Sequence, residues 1–142
     1  MEKQRNAVRR FRGAVGSARG ALSAVLLLAC AAAGACELPP GVRIESERLS
    51  VSYWTKPAKI AVGEPFVLEL AACPKAAVLN LERVRLDAHM PEHRHGMNYR
   101  TRVVRLGTGR FHSEGWLFHM PGRWEFVFDL GAERLTHSIQ VE

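Results

Sequence analysis

Outside its first 36 residues, the sequence lacks an amphipathic helical pattern and has almost no net charge. The whole chain of 142 residues has a formal charge of +6, but residues 37–142 hold 14 basic against 13 acidic side chains. The missing helical period argues against a helical domain. Because the larger part of the chain is nearly neutral, its composition gives no reason to expect nucleic-acid binding.

Long hydrophobic runs are equally scarce, and the one that stands out is Ala21–Ala35. It follows a basic segment that ends at Arg19. The run has about 15 residues, which is short for a membrane span and typical of the hydrophobic core of an export signal. We therefore predict that residues 1–36 form a signal peptide or an N-terminal anchor helix.

The chain has only three cysteines, and they leave several kinds of processing open. Gly34 and Ala35 before Cys36 resemble a bacterial lipoprotein box, in which Cys36 would carry the lipid. A cleaved soluble protein and an uncleaved membrane anchor are the alternatives. All three place the rest of the chain in the bacterial cell envelope. If Cys36 is not lipidated, it could form a disulfide with Cys73 in an oxidising compartment, or Cys73 could be a buried small hydrophobe.

Apolar and polar residues alternate along most of the chain after a polar, proline-bearing linker at 37–47. Residues 83–90 alternate cleanly, and the aromatic segment 123–130 has the strongest apolar face, which predicts a strand in the middle of a sheet. Turn residues recur every 8–12 positions. This pattern predicts an all-β domain over 48–142, an antiparallel sandwich of about seven strands.

Histidine and methionine concentrate in residues 87–97, which contain three of the six histidines and two of the four methionines. A shorter copy follows at 118–122, and both copies read His-Met-Pro at the end of a strand-like run. Imidazole suits several transition metals, whereas thioether is soft and selects copper, above all Cu(I). The main candidate ligands are His89, Met97 and His119, with His93, His95, Met120 and Met90 as further candidates.

Strand phase and local chemistry leave alternatives for each of these residues. His89 should point away from the face that Leu86 and Met90 share. Either methionine of the His-Met-Pro copies could fill the core, His119 could be a buried histidine bonded to a backbone carbonyl, and the loop histidines could be solvated. We expect Gly96 to supply a positive φ for the turn. The clustering, rather than any single residue, supports the metal hypothesis.

The block from Val84 to Leu130, with AHMPEHRHGMNY and LFHMPGRWEFVFDL, resembles the YtkA-like/FixH-like domain of bacterial exported proteins. The resemblance covers about a third of the chain. It implies an immunoglobulin-like sandwich and an association with copper handling and oxidase assembly.

The spacing of His and Met is also similar to that of periplasmic copper chaperones that feed cytochrome oxidase. In this chain 21 residues separate Met97 from His119, which matches the chaperone pattern. His119 and Met120 are adjacent, however, and the gap from Met90 to Met97 is shorter than in the chaperones. The resemblance therefore implies ligand roles for Met97 and His119 only.

Two hypotheses follow, and neither is an enzyme. The first is an exported copper-binding protein that delivers copper to a cuproenzyme or oxidase-assembly partner, or confers copper tolerance. The alternative is a metal-free immunoglobulin-like module that docks on a membrane complex through loops 91–97 and 119–122. Its contact candidates are Trp54, Trp116, Arg94, Arg100 and Arg102. A zinc hydrolase using Glu92 is disfavoured because such sites usually have three His or carboxylate ligands rather than methionines.

Overall fold

A computed structural model of the protein describes residues 36–75 and 80–142, which form two antiparallel β-sheets. The predicted signal or anchor segment lies outside the described residues, except for Cys36. Within the described residues, no helix is long and apolar enough to cross a membrane.

The all-β prediction is confirmed, with nine strands rather than about seven. One sheet has five strands in the order β1-β2-β3-β7-β6, and the other has four in the order β5-β4-β8-β9. The strands are β1 (Val42–Glu45), β2 (Leu49–Lys56), β3 (Pro65–Pro74), β4 (Val84–Met90), β5 (His95–Gly96), β6 (Arg102–Gly107), β7 (Arg110–Leu117), β8 (Gly122–Leu130) and β9 (Glu133–Val141).

The core lies between the two sheets and follows from the period-two alternation of the sequence. On β8, Trp124, Phe126 and Phe128 are at most 1% exposed, and Tyr53 of the other sheet meets Phe126 edge to face with ring centroids 5.5 Å apart. Because β8 pairs with β4 on one side and β9 on the other, the prediction that the aromatic strand lies inside a sheet is confirmed.

Several boundaries differ from the sequence-based prediction. The linker expected at 37–47 contains β1, which pairs with β2 along its whole length. Apolar and polar residues alternate from residue 98, which predicts a strand there, but β6 begins only at Arg102. These edge segments are held by backbone hydrogen bonds rather than by an apolar face, so alternation does not reveal them. A glycine inside the strand-like run 110–120 predicts a β-bulge, and the bulge is present: Gly115 has φ of +85°, and Glu114 and Gly115 of β7 lie opposite the single residue Val67 of β3.

The two ends of β3 mark two different ends of the domain. Pro65 pairs with Leu117, two residues before His119, whereas Cys73 near the other end is bonded to Cys36. β3 has ten residues, and a strand rises about 3.3 Å per residue, so the ends lie roughly 30 Å apart. The His/Met cluster and the disulfide are therefore at opposite ends of the five-stranded sheet.

Candidate metal site at one end of the sheets

A tight turn and a two-residue strand bring the first His/Met copy back onto itself. The N–H of Arg94 donates to the Met90 carbonyl at 2.9 Å, and Arg94 takes the left-handed conformation with φ of +54°. The expectation that Gly96 supplies the positive φ of this turn is wrong. The chain reverses its direction at Arg94, before His95 and Gly96 pair with β4. In that pairing His95 lies opposite Met90, and Gly96 opposite His89.

The second copy lies where the chain crosses from one sheet to the other, between β7 and β8. The Phe118 carbonyl accepts a hydrogen bond from the Gly63 N–H at 2.8 Å, and Trp124 Nε1 donates to the Met120 carbonyl at 3.0 Å. The Phe118 ring also stacks on Trp124, with centroids 4.3 Å apart. His119, between these two fixed points, is held in one place beside β5.

The two copies meet through their histidines. The ring centroids of His95 and His119 are 5.1 Å apart, and those of His93 and His95 are 5.9 Å apart. A metal held by two imidazole nitrogens at about 2.0–2.1 Å places the two ring centroids no more than about 6–7 Å apart. The His95–His119 pair therefore has a spacing that one metal ion could bridge.

One nitrogen at this position has no hydrogen-bond partner. His119 is half-buried, and its Nδ1 is buried without any donor or acceptor within reach. It is the one such buried side-chain nitrogen or oxygen among the described residues. An unpaired buried polar atom costs about 1–3 kcal/mol. A ligand that binds Nδ1 would remove this cost, so the atom fits a metal position. The alternative of a backbone carbonyl partner for Nδ1 is not realised.

The three candidate methionines differ in burial. Met90 is fully buried, and a Cβ added at Gly122 would lie 2.7 Å from its Cε, so this glycine leaves room for the Met90 methyl group. Met97 donates its N–H to the Ala88 carbonyl at 3.3 Å. Met97 and Met120 are partly buried against the core. All three therefore contribute to packing, and Met97 and Met120 also remain partly accessible.

His89 is not part of this group. It lies on the outer face of β4, half-exposed, with Nε2 3.4 Å from Glu125 Oε1 on β8. Its neighbours Ala88 and Met90 are buried on the opposite face, which confirms the strand phase predicted from the sequence. The strand itself separates His89 from His95 and His119.

Any metal at this end of the sheets would be held by fewer than three of the described His, Cys, Asp and Glu side chains. In residues 36–75 and 80–142, no three His, Cys, Asp or Glu side chains are arranged to bind a metal ion together. Two imidazoles with one or two thioethers match the two to four soft ligands that Cu(I) accepts. The donor set therefore fits Cu(I) better than it fits zinc, which usually has four-coordinate tetrahedral sites.

Sequence reasoning did not foresee Trp124 beside the histidines. Its ring lies 5.5 Å from that of His119 and 6.0 Å from that of His95, at steep angles to both. The antiparallel pairing of β4 with β8 explains this position. His89 lies opposite Glu125, so the next residues, Met90 and Trp124, are neighbours across the two strands. Trp124 forms an apolar wall that excludes water from one side of the imidazole pair.

No family model, no curated protein and no solved structure matches this chain. The resemblance to the YtkA-like/FixH-like domain therefore stays a prediction.

Proposed function

We propose that this chain is an exported copper-binding protein that holds Cu(I) between His95 and His119. One or two of Met90, Met97 and Met120 would complete the ligand set. The observation that supports this most is the buried, unpartnered Nδ1 of His119 on a ring that lies beside a second imidazole. His89 is left out of the proposed ligand set because it lies on the other face of β4.

The surroundings of this pair suit the transfer of a metal rather than its permanent storage. His93 is exposed and His95 is half-buried. His93 could therefore bind copper from solution or contact a partner protein, and His95 could transfer the ion to the site beside His119. Trp124 and the buried Met90 keep the inner side dry, which disfavours the more strongly hydrated Cu(II). We infer delivery to a cuproenzyme or oxidase-assembly partner, or copper tolerance, as the role, without catalysis.

The finer fold and the location belong to the same proposal. Two antiparallel sheets over one core agree with an immunoglobulin-like sandwich. The basic, then apolar, first 36 residues indicate export to the bacterial envelope. The protein would work there either released or held at the membrane by its leader.

A competition titration against a Cu(I) chelator tests the proposal. The variants are His95→Ala, His119→Ala and Met97→Leu. The matched control is His89→Ala, because His89 is next to Met90 on β4 but lies on the outer face of that strand. We expect His95→Ala and His119→Ala to lose at least tenfold in Cu(I) affinity, with His89→Ala unchanged. Met97→Leu keeps the volume and removes the soft ligand, so it should weaken Cu(I) more than Cu(II). Failure of the wild type to take copper from a chelator of micromolar affinity would refute the proposal.

The metal-free interaction module is the second candidate, and an exposed surface beside the site favours it. Tyr99 is 56% exposed, Arg100 next to it is also exposed, and both line a surface cavity together with Gly96 and Met97. Trp116, an expected contact residue, is only 1% exposed and takes no part in such a surface. This candidate replaces the first if the chain binds no copper and captures a membrane complex, provided that Tyr99→Ser abolishes the capture and His119→Ala does not.

A further inference from the structure

Residues 37–41, which precede β1, are fitted onto the five-stranded sheet rather than hanging free as a linker. The fully buried Ser52 donates its hydroxyl hydrogen bond to the Pro39 carbonyl at 2.7 Å, and the Arg110 guanidinium contacts the Glu37 carbonyl at 3.4 Å. A Cβ added at Gly41 would lie 2.6 Å from the Tyr53 carbonyl oxygen, so the chain approaches β2 as closely as a glycine permits.

Cys36 stands at the start of this fitted segment and is covalently bonded to Cys73. Their Cα atoms are 5.6 Å apart, within the usual range for a disulfide. Cys73 is only 7% exposed, and the Cys36 sulfur lies 3.8 Å from the Ala72 carbonyl oxygen. The segment 37–41 therefore leads the Cys36 sulfur onto the end of β3, where its partner lies.

We propose that Cys36 remains in the mature protein as a half-cystine paired with Cys73, and that it does not carry a lipid. A lipid thioether and a disulfide need the same Cys36 sulfur, so the two modifications exclude each other. In the pairing, two thiols lose two protons and two electrons and form one S–S bond. A thiol–disulfide oxidoreductase of the envelope accepts the electrons as its own disulfide is reduced to two thiols.

This pairing has a consequence for how the leader is processed. Signal cleavage must leave Cys36 unacylated in the chain, or the leader must stay attached. Either way, the segment before β1 is tied to the end of the sheet that lies roughly 30 Å from the His95–His119 pair. The candidate copper site is then at the end of the domain remote from this N-terminal attachment.

The test uses the full chain with its own leader, expressed in a bacterium that has both disulfide-forming and lipoprotein-modifying enzymes. The envelope fraction is alkylated without reduction, digested and analysed by mass spectrometry. We expect a disulfide-linked pair of peptides containing Cys36 and Cys73, neither cysteine alkylated before reduction. An acylated Cys36 peptide, or both cysteines alkylated before reduction, would overturn the proposal.

Two variants and a redox titration make the result unambiguous. Cys73→Ala should leave Cys36 open to alkylation, whereas Cys30→Ala should keep the linked pair and so excludes pairing through the third cysteine. If the host does not export the chain, the purified full chain in detergent is equilibrated with oxidised and reduced glutathione. We expect the Cys36–Cys73 disulfide to predominate. Free thiols or mixed disulfides with glutathione would contradict the proposal. None of these outcomes depends on copper binding.

Discussion

Replacing His119 with leucine should make the copper-free protein more stable while it removes copper binding. Leucine is similar to histidine in volume and has no polar atom, so it eliminates the buried Nδ1 that lacks a partner. A residue kept for folding alone would show the opposite behaviour, because its loss would destabilise the domain. The substitution therefore separates a ligand role from a packing role.

The size of the effect follows from two opposing contributions. Removing an unpaired buried polar atom recovers about 1–3 kcal/mol. Losing the ring contacts with His95 at 5.1 Å and Trp124 at 5.5 Å costs about 0.5–1.5 kcal/mol. We expect a net gain of about 1 kcal/mol in the free energy of unfolding, which raises Tm by about 4–8 °C for a domain of this size.

The assay is thermal and urea unfolding, run with a copper chelator and again with Cu(I). Wild type should gain about 2.7 kcal/mol when free Cu(I) is a hundred times the dissociation constant, and His119→Leu should gain nothing. His93→Leu is the control, because His93 is exposed and its replacement should leave the copper-free stability within about 0.5 kcal/mol. A loss of more than about 1 kcal/mol for copper-free His119→Leu would show instead that Nδ1 has a hydrogen-bond partner in solution.

Three further predictions address stability and pH. The double variant Cys36→Ser/Cys73→Ala opens a loop of 37 residues and should lose about 3–4 kcal/mol in urea unfolding; a loss below about 1 kcal/mol would contradict the disulfide. The hydrogen bond from Arg134 lowers the pKa of Asp129 in the folded protein. This ion pair therefore stabilises the folded protein above the ordinary carboxyl pKa of 3.8, and the stabilisation is lost as the pH falls through the lower folded-state pKa. Asp129→Asn should therefore cost up to about 1 kcal/mol at pH 7 and progressively less as the pH falls below the ordinary carboxyl pKa; a cost that does not change with pH would argue against the ion pair. Cu(I) affinity should fall as the pH is lowered, because protons compete with the metal for the imidazole nitrogens. A pH-independent affinity in chelator competition would exclude histidine ligands.

The strands and the core could be predicted from the sequence because alternation reports which side of a strand is buried. Val84 to Met90 and Trp124 to Leu130 alternate over seven residues each, and the structure buries the apolar set in both, except that Val84 is only partly buried. β1 escaped prediction because three of its four residues are exposed and it is held by backbone pairing with β2. Backbone hydrogen bonds have no signature in side-chain composition.

The composition of the candidate site could be predicted, but its geometry could not. Two His-Met-Pro segments at strand ends indicated convergence, and His95 and His119 do lie together. Which histidines converge depends on β5, a strand of two residues that is too short for alternation to reveal its phase. The left-handed turn at Arg94 sets that phase and directs His95 inward. His89, a main candidate from the sequence, lies on the outer face instead.

X-ray absorption of the Cu(I)-loaded protein at the copper K-edge reports which atoms bind the metal. We expect nitrogen scatterers at about 2.0 Å and at least one sulfur at about 2.3 Å, with the sulfur contribution reduced in Met97→Leu or Met120→Leu. The spectrum should be unchanged in His89→Ala, since His89 lies on the other face of β4. A spectrum with nitrogen or oxygen scatterers only, or one that changes with His89 and not with His119, would contradict a copper site built from His95, His119 and thioether.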